Sequence, residues 1–321
     1  MILSVSRRTD IPNYYSEWFL NRIKEGFLYV RNPMNEHQIS RIDLSPEVID
    51  CIVFWTKNPA PMLERLNELN DYKYYFQFTL TGYGKDMEPE LPNKQKELIP
   101  TFKRLSEKIG SDKVIWRYDP VLLSERYTME YHIKAFEEIS NSLKGYTERV
   151  IISFVDLYAK TVRNTAGLNV KVITEAEMAG LARDMVKIAN KNHMEIQTCA
   201  EQIELSHIGV MHGSCIDRKI VERIVGCKIA GNKDKGQRKE CGCLESVEVG
   251  TYHTCRNGCK YCYANFSNEK VKRNAVLYDV NSPLLCTRIG PEDNITDRKI
   301  KSLKEEQLSF FTGCHTSPGT P

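Results

Sequence analysis

Six β-rich runs, each followed by a polar or amphipathic stretch, constrain the fold of this 321-residue chain more than any other feature. They fall at residues 2–6, 51–55, 74–80, 113–120, 150–156 and 194–199. Helical patterns are expected between them over 14–25, through Met62, Leu63, Leu66 and Leu69, then over 94–109 and 129–143. A further helix opens at Thr174-Glu175-Ala176-Glu177, whose Thr-x-x-Glu order is that of a capping box. Strands that alternate with helices predict βα units and a parallel sheet. Several runs are nearly continuous in apolar and aromatic residues, as expected where both sheet faces are covered. The reading is α/β, a partial (βα)6 TIM-like barrel over residues 1–204.

The pattern changes beyond residue 204. Residues 205–270 read as a cysteine-rich iron–sulfur segment packed on the barrel mouth, with a short helix near 217–225. Residues 271–321 read as a polar extension with few apolar anchors beyond Ser282, and 312–321 as a frayed tail. No apolar run reaches membrane-spanning length, and the early charges of MILSVSRRTDIP do not suit an export leader. A cytoplasmic protein without a membrane partner is expected. Net charge is +3, which permits an anionic ligand but gives no concentrated basic stripe for nucleic acid. Eleven cysteines without an export signal argue for metal ligation rather than disulfides.

In a parallel barrel, functional side chains gather where strands end and βα loops begin. Here all six ends are polar. They deliver Arg7, Arg8 and Asp10; Thr56, Lys57 and Asn58; Thr79 and Thr81; Arg117 and Asp119; Asp156; and Cys199 and Glu201. Any one of these suits an ordinary loop: Asp10 could cap the next helix, and Arg117 with Asp119 could be a structural ion pair. Together they predict a pocket. Arg7, Asp10, Lys57, Arg117 and Asp119 are its expected catalytic groups, and its cations suit a carboxylate or phosphate.

The most specific signal is Cys255-x₃-Cys259-x₂-Cys262, with Tyr261 directly before the third cysteine. Three thiolates can hold three corners of a [4Fe–4S] cluster and leave the fourth iron open to a ligand, whereas a fourth cysteine would close it. A zinc knuckle would recruit Cys241 and Cys243 or a histidine, but zinc ribbons favour paired C-x-x-C hairpins. Cys199, Cys215, Cys241 and Cys243 could together hold a second, closed cluster, with Cys227 as a competing ligand. Cys51 reads as a core residue, no role is given to Cys286 or Cys314, and His207 and His212 are left out of the site.

The Cys255, Cys259, Cys262 and Tyr261 pattern resembles the signature loop of the radical S-adenosylmethionine superfamily. That resemblance implies a partial (βα)6 barrel, an open iron that chelates S-adenosylmethionine, and reductive cleavage to a 5′-deoxyadenosyl radical. It places Tyr261 near the adenine; Asn58 and Thr79 are added as expected cofactor contacts. An external donor such as a ferredoxin or flavodoxin would supply the electron. The chain departs from the superfamily in order, since the loop follows all six runs. It also has Trp55-Thr56-Lys57-Asn58 where a Gly-Gly-Glu motif is usual. It resembles, over most of 1–270, an uncharacterised prokaryotic family with a Ser-Arg-Arg-Thr-Asp-Ile-Pro start and a C-terminal cysteine cluster. An electron-transfer or redox-sensing iron–sulfur protein and a zinc-stabilised nucleic-acid binder are the competing readings.

Overall fold

The computed structural model describes residues 1–305 except Tyr158 and Phe266; the stretch read as a frayed tail lies outside them. The strands are β1 (Ile2–Val5), β2 (Phe27–Asn32), β3 (Asn35–Asp43), β4 (Cys51–Thr56), β5 (Tyr74–Thr79) and β6 (Val114–Val121). They continue as β7 (Arg149–Phe154), β8 (Glu195–Cys199), β9 (Met211–Gly213), β10 (Val247–Glu248) and β11 (Asn294–Asp297). All six β-rich runs are strands, and they lie side by side in chain order.

The main sheet has eight strands in the order β10-β1-β4-β5-β6-β7-β8-β9, every neighbouring pair parallel. Among the described residues its hydrogen bonding ends at β10 and β9, so it is an open ladder. Both edge strands come from the segment 205–270, which therefore extends the sheet as well as carrying cysteines. A second sheet, β11-β3-β2, pairs a hairpin antiparallel and adds β11 in parallel.

The helices are α1 (Ile11–Tyr14), α2 (Ser16–Glu25), α3 (Ala60–Leu63), α4 (Ile99–Ile109), α5 (Met129–Leu143), α6 (Ala159–Asn164), α7 (Glu175–Lys191), α8 (Arg218–Val225) and α9 (Asn268–Val276). Asp10 caps α1 and Asp217 caps α8 through their carboxylates. The capping box of α7 is formed: the Glu177 amide donates to Thr174 Oγ1 at 3.2 Å, and the Thr174 amide donates to Glu177 Oε2 at 2.9 Å.

Alternation along each strand sends side chains to two separate cores. One face packs Leu3, Val5, Phe54, Phe76, Trp116 and Ile152 against Trp18, Phe102, Phe136 and Leu181 of the surrounding helices. Aromatic pairs recur there, as in the stacking of Trp116 on Phe136 at 4.8 Å between centroids, each worth ~0.5–1.5 kcal/mol beyond area burial. The other face packs Ile2, Val53, Tyr75, Ile115 and Ile151 against Ile216, Ile220, Cys215, Cys241, Cys243 and Leu244. The cysteine-bearing segment is thus the second layer over the sheet. Two inward polar side chains fix it there: Tyr75 Oη and Gln77 Nε2 both donate to the Cys215 carbonyl, at 2.6 and 2.8 Å.

The extension is better anchored than its composition suggests. Leu284, Leu285 and Cys286 are all buried, and Trp18 Nε1 donates to the Ser282 carbonyl at 2.7 Å.

Candidate functional site

A cavity of about 480 Å³ opens at the carboxyl ends of the parallel strands. Sites form at this edge of a parallel sheet because every strand hands its next residues to the same side. Ser6 to Asp10 follow β1, Thr56 closes β4 and Lys57 follows it, Thr79 closes β5, and Arg117 and Asp119 lie near the end of β6. Ser153 comes from β7 and Cys199 from β8. The wall opposite is built by Cys241, Cys243, Cys255, Cys259, Tyr261, Cys262 and Tyr263. All seven cysteines expected as metal ligands border this single cavity, together with Arg7, Asp10, Lys57, Arg117, Asp119, Thr79 and Tyr261. Asn58 does not: its Nδ2 donates to Asn13 Oδ1 at 3.2 Å, which makes it a support for the loop after β1. Cys227 also stays out of the lining.

The loop of Cys255, Cys259 and Cys262 is pinned to the strand ends by a buried polar knot. Asn257, between the first two cysteines, is 3% exposed. Its Nδ2 donates to Asp10 Oδ2 at 3.0 Å, while its Oδ1 accepts from Tyr14 Oη at 2.8 Å and Asn13 Nδ2 at 3.2 Å. Asp10 Oδ2 also accepts the Lys57 amide at 2.8 Å, so one carboxylate ties β1, β4 and the cysteine loop together. Burial pushes the Asp10 carboxyl up, against the pull of these donors. Gly258 turns the loop with φ +67°, and a Cβ there would stand 3.0 Å from Pro89 Cγ. Neither Asn257 nor Glu88 was singled out from the sequence. The Asn-Gly dipeptide is the one local signal that marks 257–258 as a tight turn.

A second knot holds Tyr261. Lys57 Nζ donates to Tyr261 Oη and to Glu88 Oε1, each at 2.8 Å, and Tyr261 Oη bonds to the same carboxylate oxygen. Lys94 Nζ reaches Glu88 Oε2 at 2.5 Å, and Thr81 Oγ1 donates to it at 2.9 Å. Burial alone would raise Glu88, but the ammoniums of Lys57 and Lys94 outweigh it and hold the carboxylate down at about 2. Lys57 is pushed up for the reciprocal reason: burial lowers it, and Glu88, with Cys259 and Asp119 nearby, more than restores it.

The third knot is at Arg117. Its guanidinium pairs with Asp119, Nε to Oδ2 at 2.9 Å, and its Nη1 donates to Cys215 Sγ at 2.8 Å. Ser153 Oγ donates to the other Asp119 oxygen. Arg7 lies over the Trp55 ring at 4.9 Å, and its buried Nη2 has no hydrogen-bond partner.

The thiols of Cys255 and Cys259 are shifted toward their protonated state. Burial pushes Cys255 up to about 12 and Cys259 well above the usual range, although Lys57 pulls Cys259 the other way. Such a crowd of half-buried thiols suits a cationic centre, which would deprotonate them and balance the charge. Among the described residues, no three His, Cys, Asp or Glu side chains already surround a point as ligands of one ion. A cubane asks for something else: its cysteines stand at separate iron corners, farther apart than ligands of one ion. Among the described residues, no hydrogen bond joins any two of the three loop thiols, although each acts electrostatically on another. Three thiols on one cavity wall supply the type of donor that such a cluster takes.

A family model described as a domain of unknown function, DUF1848, matches residues 2–264, which takes in both the strand ends and the cysteine loop. The chain belongs to the DUF1848 family. No curated protein matches it. Among solved structures, the chain is similar to a crystal structure of a Bacteroides thetaiotaomicron protein described as a provisional alpha-L-fucosidase. That match has 13% identity, covers 72% of this chain and 84% of the other, and has a TM-score of 0.26, too weak a likeness to speak to fold or function. No helix among the described residues is long and apolar enough to cross a membrane.

Proposed function

We propose that this DUF1848 protein is an iron–sulfur enzyme of the radical S-adenosylmethionine type, acting on an anionic substrate. Cys255, Cys259 and Cys262 hold a [4Fe–4S] cluster with one iron left open, and the cavity over the strand ends admits S-adenosylmethionine and the substrate. When bound, that pair supplies a one-electron reductive cleavage that yields methionine and a 5′-deoxyadenosyl radical. A ferredoxin or flavodoxin type of donor serves as the electron source, in a cytoplasmic setting.

The observation that carries the reading is that the three-cysteine loop and the polar strand ends border one cavity. The sheet order adds support. The loop follows β10, and β10 lies beside β1 at the sheet edge. In space, then, the loop leaves the first strand of a consecutive parallel series, as it does in the superfamily it resembles. A late position in the chain thus gives a conventional position in the sheet.

The chain's own residues have separable tasks. Asn257 and Asp10 fix the loop against β1 and β4. Lys57 and Glu88 hold the Tyr261 ring at the cavity wall, where it can cover an adenine. Thr79 lines the cavity beside them. Arg7 presents an unsatisfied guanidinium N–H for a substrate carboxylate or phosphate, and Asp119 keeps Arg117 oriented.

Anaerobic reconstitution should load about four irons on the loop. With dithionite and S-adenosylmethionine, chromatography should then show 5′-deoxyadenosine, which Cys259→Ala abolishes and Cys227→Ala leaves in place. An intact cluster that gives no such product would sink the radical reading in favour of electron transfer.

A further inference from the structure

Two of the cavity cysteines are already in sulfur contact. Cys199 Sγ, at the end of β8, and Cys215 Sγ, just beyond β9, lie 3.0 Å apart. A disulfide bond is ~2.05 Å long, so the two sulfurs need to close by about 1 Å. The segments that carry them are anchored. β8 and β9 pair in parallel, with Cys199 opposite Gly213. Tyr75 Oη and Gln77 Nε2 hold the Cys215 carbonyl from the sheet, at 2.6 and 2.8 Å.

The pair is asymmetric. Cys199 is half-buried, Cys215 is 6% exposed, and both line the cavity. The outer thiol is the one that a small solute reaches, and the inner one lies against it. Arg117 singles out the inner sulfur. Its Nη1 donates to Cys215 Sγ at 2.8 Å, and its own position is set by Asp119, Nε to Oδ2 at 2.9 Å.

A charged donor of this kind favours a sulfur that carries negative charge, and it has less to offer the sulfur of a disulfide. It therefore stabilises the reduced state, which makes the couple readily reversible. The bond from Cys199 and the Arg117 charge pull the Cys215 thiol down, but its bond to Cys243 and burial outweigh them and hold it up at about 11. Such a thiol attacks slowly at neutral pH, which suits a couple that equilibrates with its surroundings over time.

We propose that Cys199 and Cys215 are a redox-active dithiol that exchanges with low-molecular-weight disulfides reaching the cavity, with Arg117 favouring its reduced form. The Cys199 thiolate attacks one sulfur of the disulfide RSSR, forming a Cys199–SR bond and expelling RS⁻. Cys215 then attacks the Cys199 sulfur, closing the Cys199–Cys215 bond and expelling the second RS⁻. The two thiol protons pass to the two departing thiolates. One RSSR is thus reduced to two RSH as the dithiol is oxidised to a disulfide, and an excess of RSH runs the same steps backwards. The exchange uses none of the three loop cysteines, so it stands apart from the cluster proposed there.

The test equilibrates the full chain anaerobically with glutathione buffers of graded ratio, blocks free thiols with iodoacetamide and maps the peptides by mass spectrometry. A linked Cys199–Cys215 peptide, lighter by the two thiol hydrogens, should dominate in the oxidising buffers and disappear on return to reduced glutathione. Cys215→Ser should instead accumulate a glutathione adduct on Cys199, to about fivefold or more over the parent chain. Arg117→Lys should require a buffer about threefold more reducing to open the disulfide, because the reduced form loses its donor. Should either variant fail to fold, the peptide map of the unaltered chain still decides. Free Cys199 and Cys215 at the oxidising end of the series would overturn the proposal. So would a link from either one to Cys241 or Cys243, or protection of both by a bound metal.

Discussion

The ammonium of Lys57 and the phenol of Tyr261 meet at 2.8 Å, joined over the carboxylate of Glu88. One residue directly follows β4 and the other sits between two cysteines of the loop, far away in the chain. The loop's aromatic side chain is therefore fixed by charge as well as by packing.

Glu88→Gln tests that arrangement. Neutralising a carboxylate that is 1% exposed and faces two ammoniums leaves Lys57 and Lys94 as buried cations without a counter-charge. A loss of about 3–5 kcal/mol is expected in urea unfolding at neutral pH. The near-ultraviolet dichroism of the tyrosines should also change in the still-folded fraction, since Tyr261 exchanges a carboxylate acceptor for a neutral amide.

Asn257→Ala should unhook the loop with the sheet left in place. The substitution removes one donor from Asp10 and one acceptor from Tyr14 and Asn13, at a cost of about 1–3 kcal/mol. Far-ultraviolet dichroism should be unchanged while iron uptake by the loop falls severalfold. Uptake equal to the parent protein would show that the knot is dispensable.

Gly250→Ala probes the other flank of the loop. A Cβ at Gly250 would lie 1.8 Å from Ser6 Oγ, and that hydroxyl accepts the Arg8 and Thr9 amides at 2.9 and 3.3 Å. The clash therefore displaces the turn that carries Arg7 and Arg8, and a loss of ~1–3 kcal/mol is expected. Removing the hydroxymethyl group with Ser6→Gly in the same chain should recover part of it, which thermal melts of the two variants will show.

His132 supplies a pH dependence with a defined sign. Burial lowers it to about 4, against the upward pull of its bond to the Leu122 carbonyl. The unfolded chain takes up this proton near pH 6.5, while the folded protein refuses it until about pH 4. Stability is therefore lost as pH falls through that window, by on the order of 3 kcal/mol. Glu201 works in the opposite direction, because burial raises it to about 7 and the folded state holds its proton longer. Subtracting the stability–pH curve of His132→Gln from that of the parent cancels Glu201 and should leave the histidine slope alone.

The sequence was informative where burial is two-sided. β1 and β4 to β8 announced themselves because covered strands must be apolar on both faces, and Cys51 in β4 is core, as expected. The β2–β3 hairpin did not: Asn35, Glu36, His37 and Gln38 are exposed and polar, so nothing in that run reads as strand. β9 and β10, of three and two residues, owe their state to the neighbour they pair with rather than to their own pattern. Cys286 was left without a role in an extension of polar composition, yet it sits in the main core with Leu285. In the site, cysteine spacing and polar strand ends were readable locally. Glu88 and Asn257 were not, because their meaning lies in partners brought from other segments.

The pairing of β10 with β1 also sets an order of assembly. A ribosome issues β1 and β4 to β8 before the first loop cysteine, so the sheet and its polar mouth can form early. The edge that carries the trio docks only when the chain's late residues find its first strand, a long-range closure that topology makes slow. Incorporation of the proposed cluster at Cys255, Cys259 and Cys262 would thereby be tied to a finished fold, and a prematurely truncated chain would carry the polar strand ends without the cysteine loop.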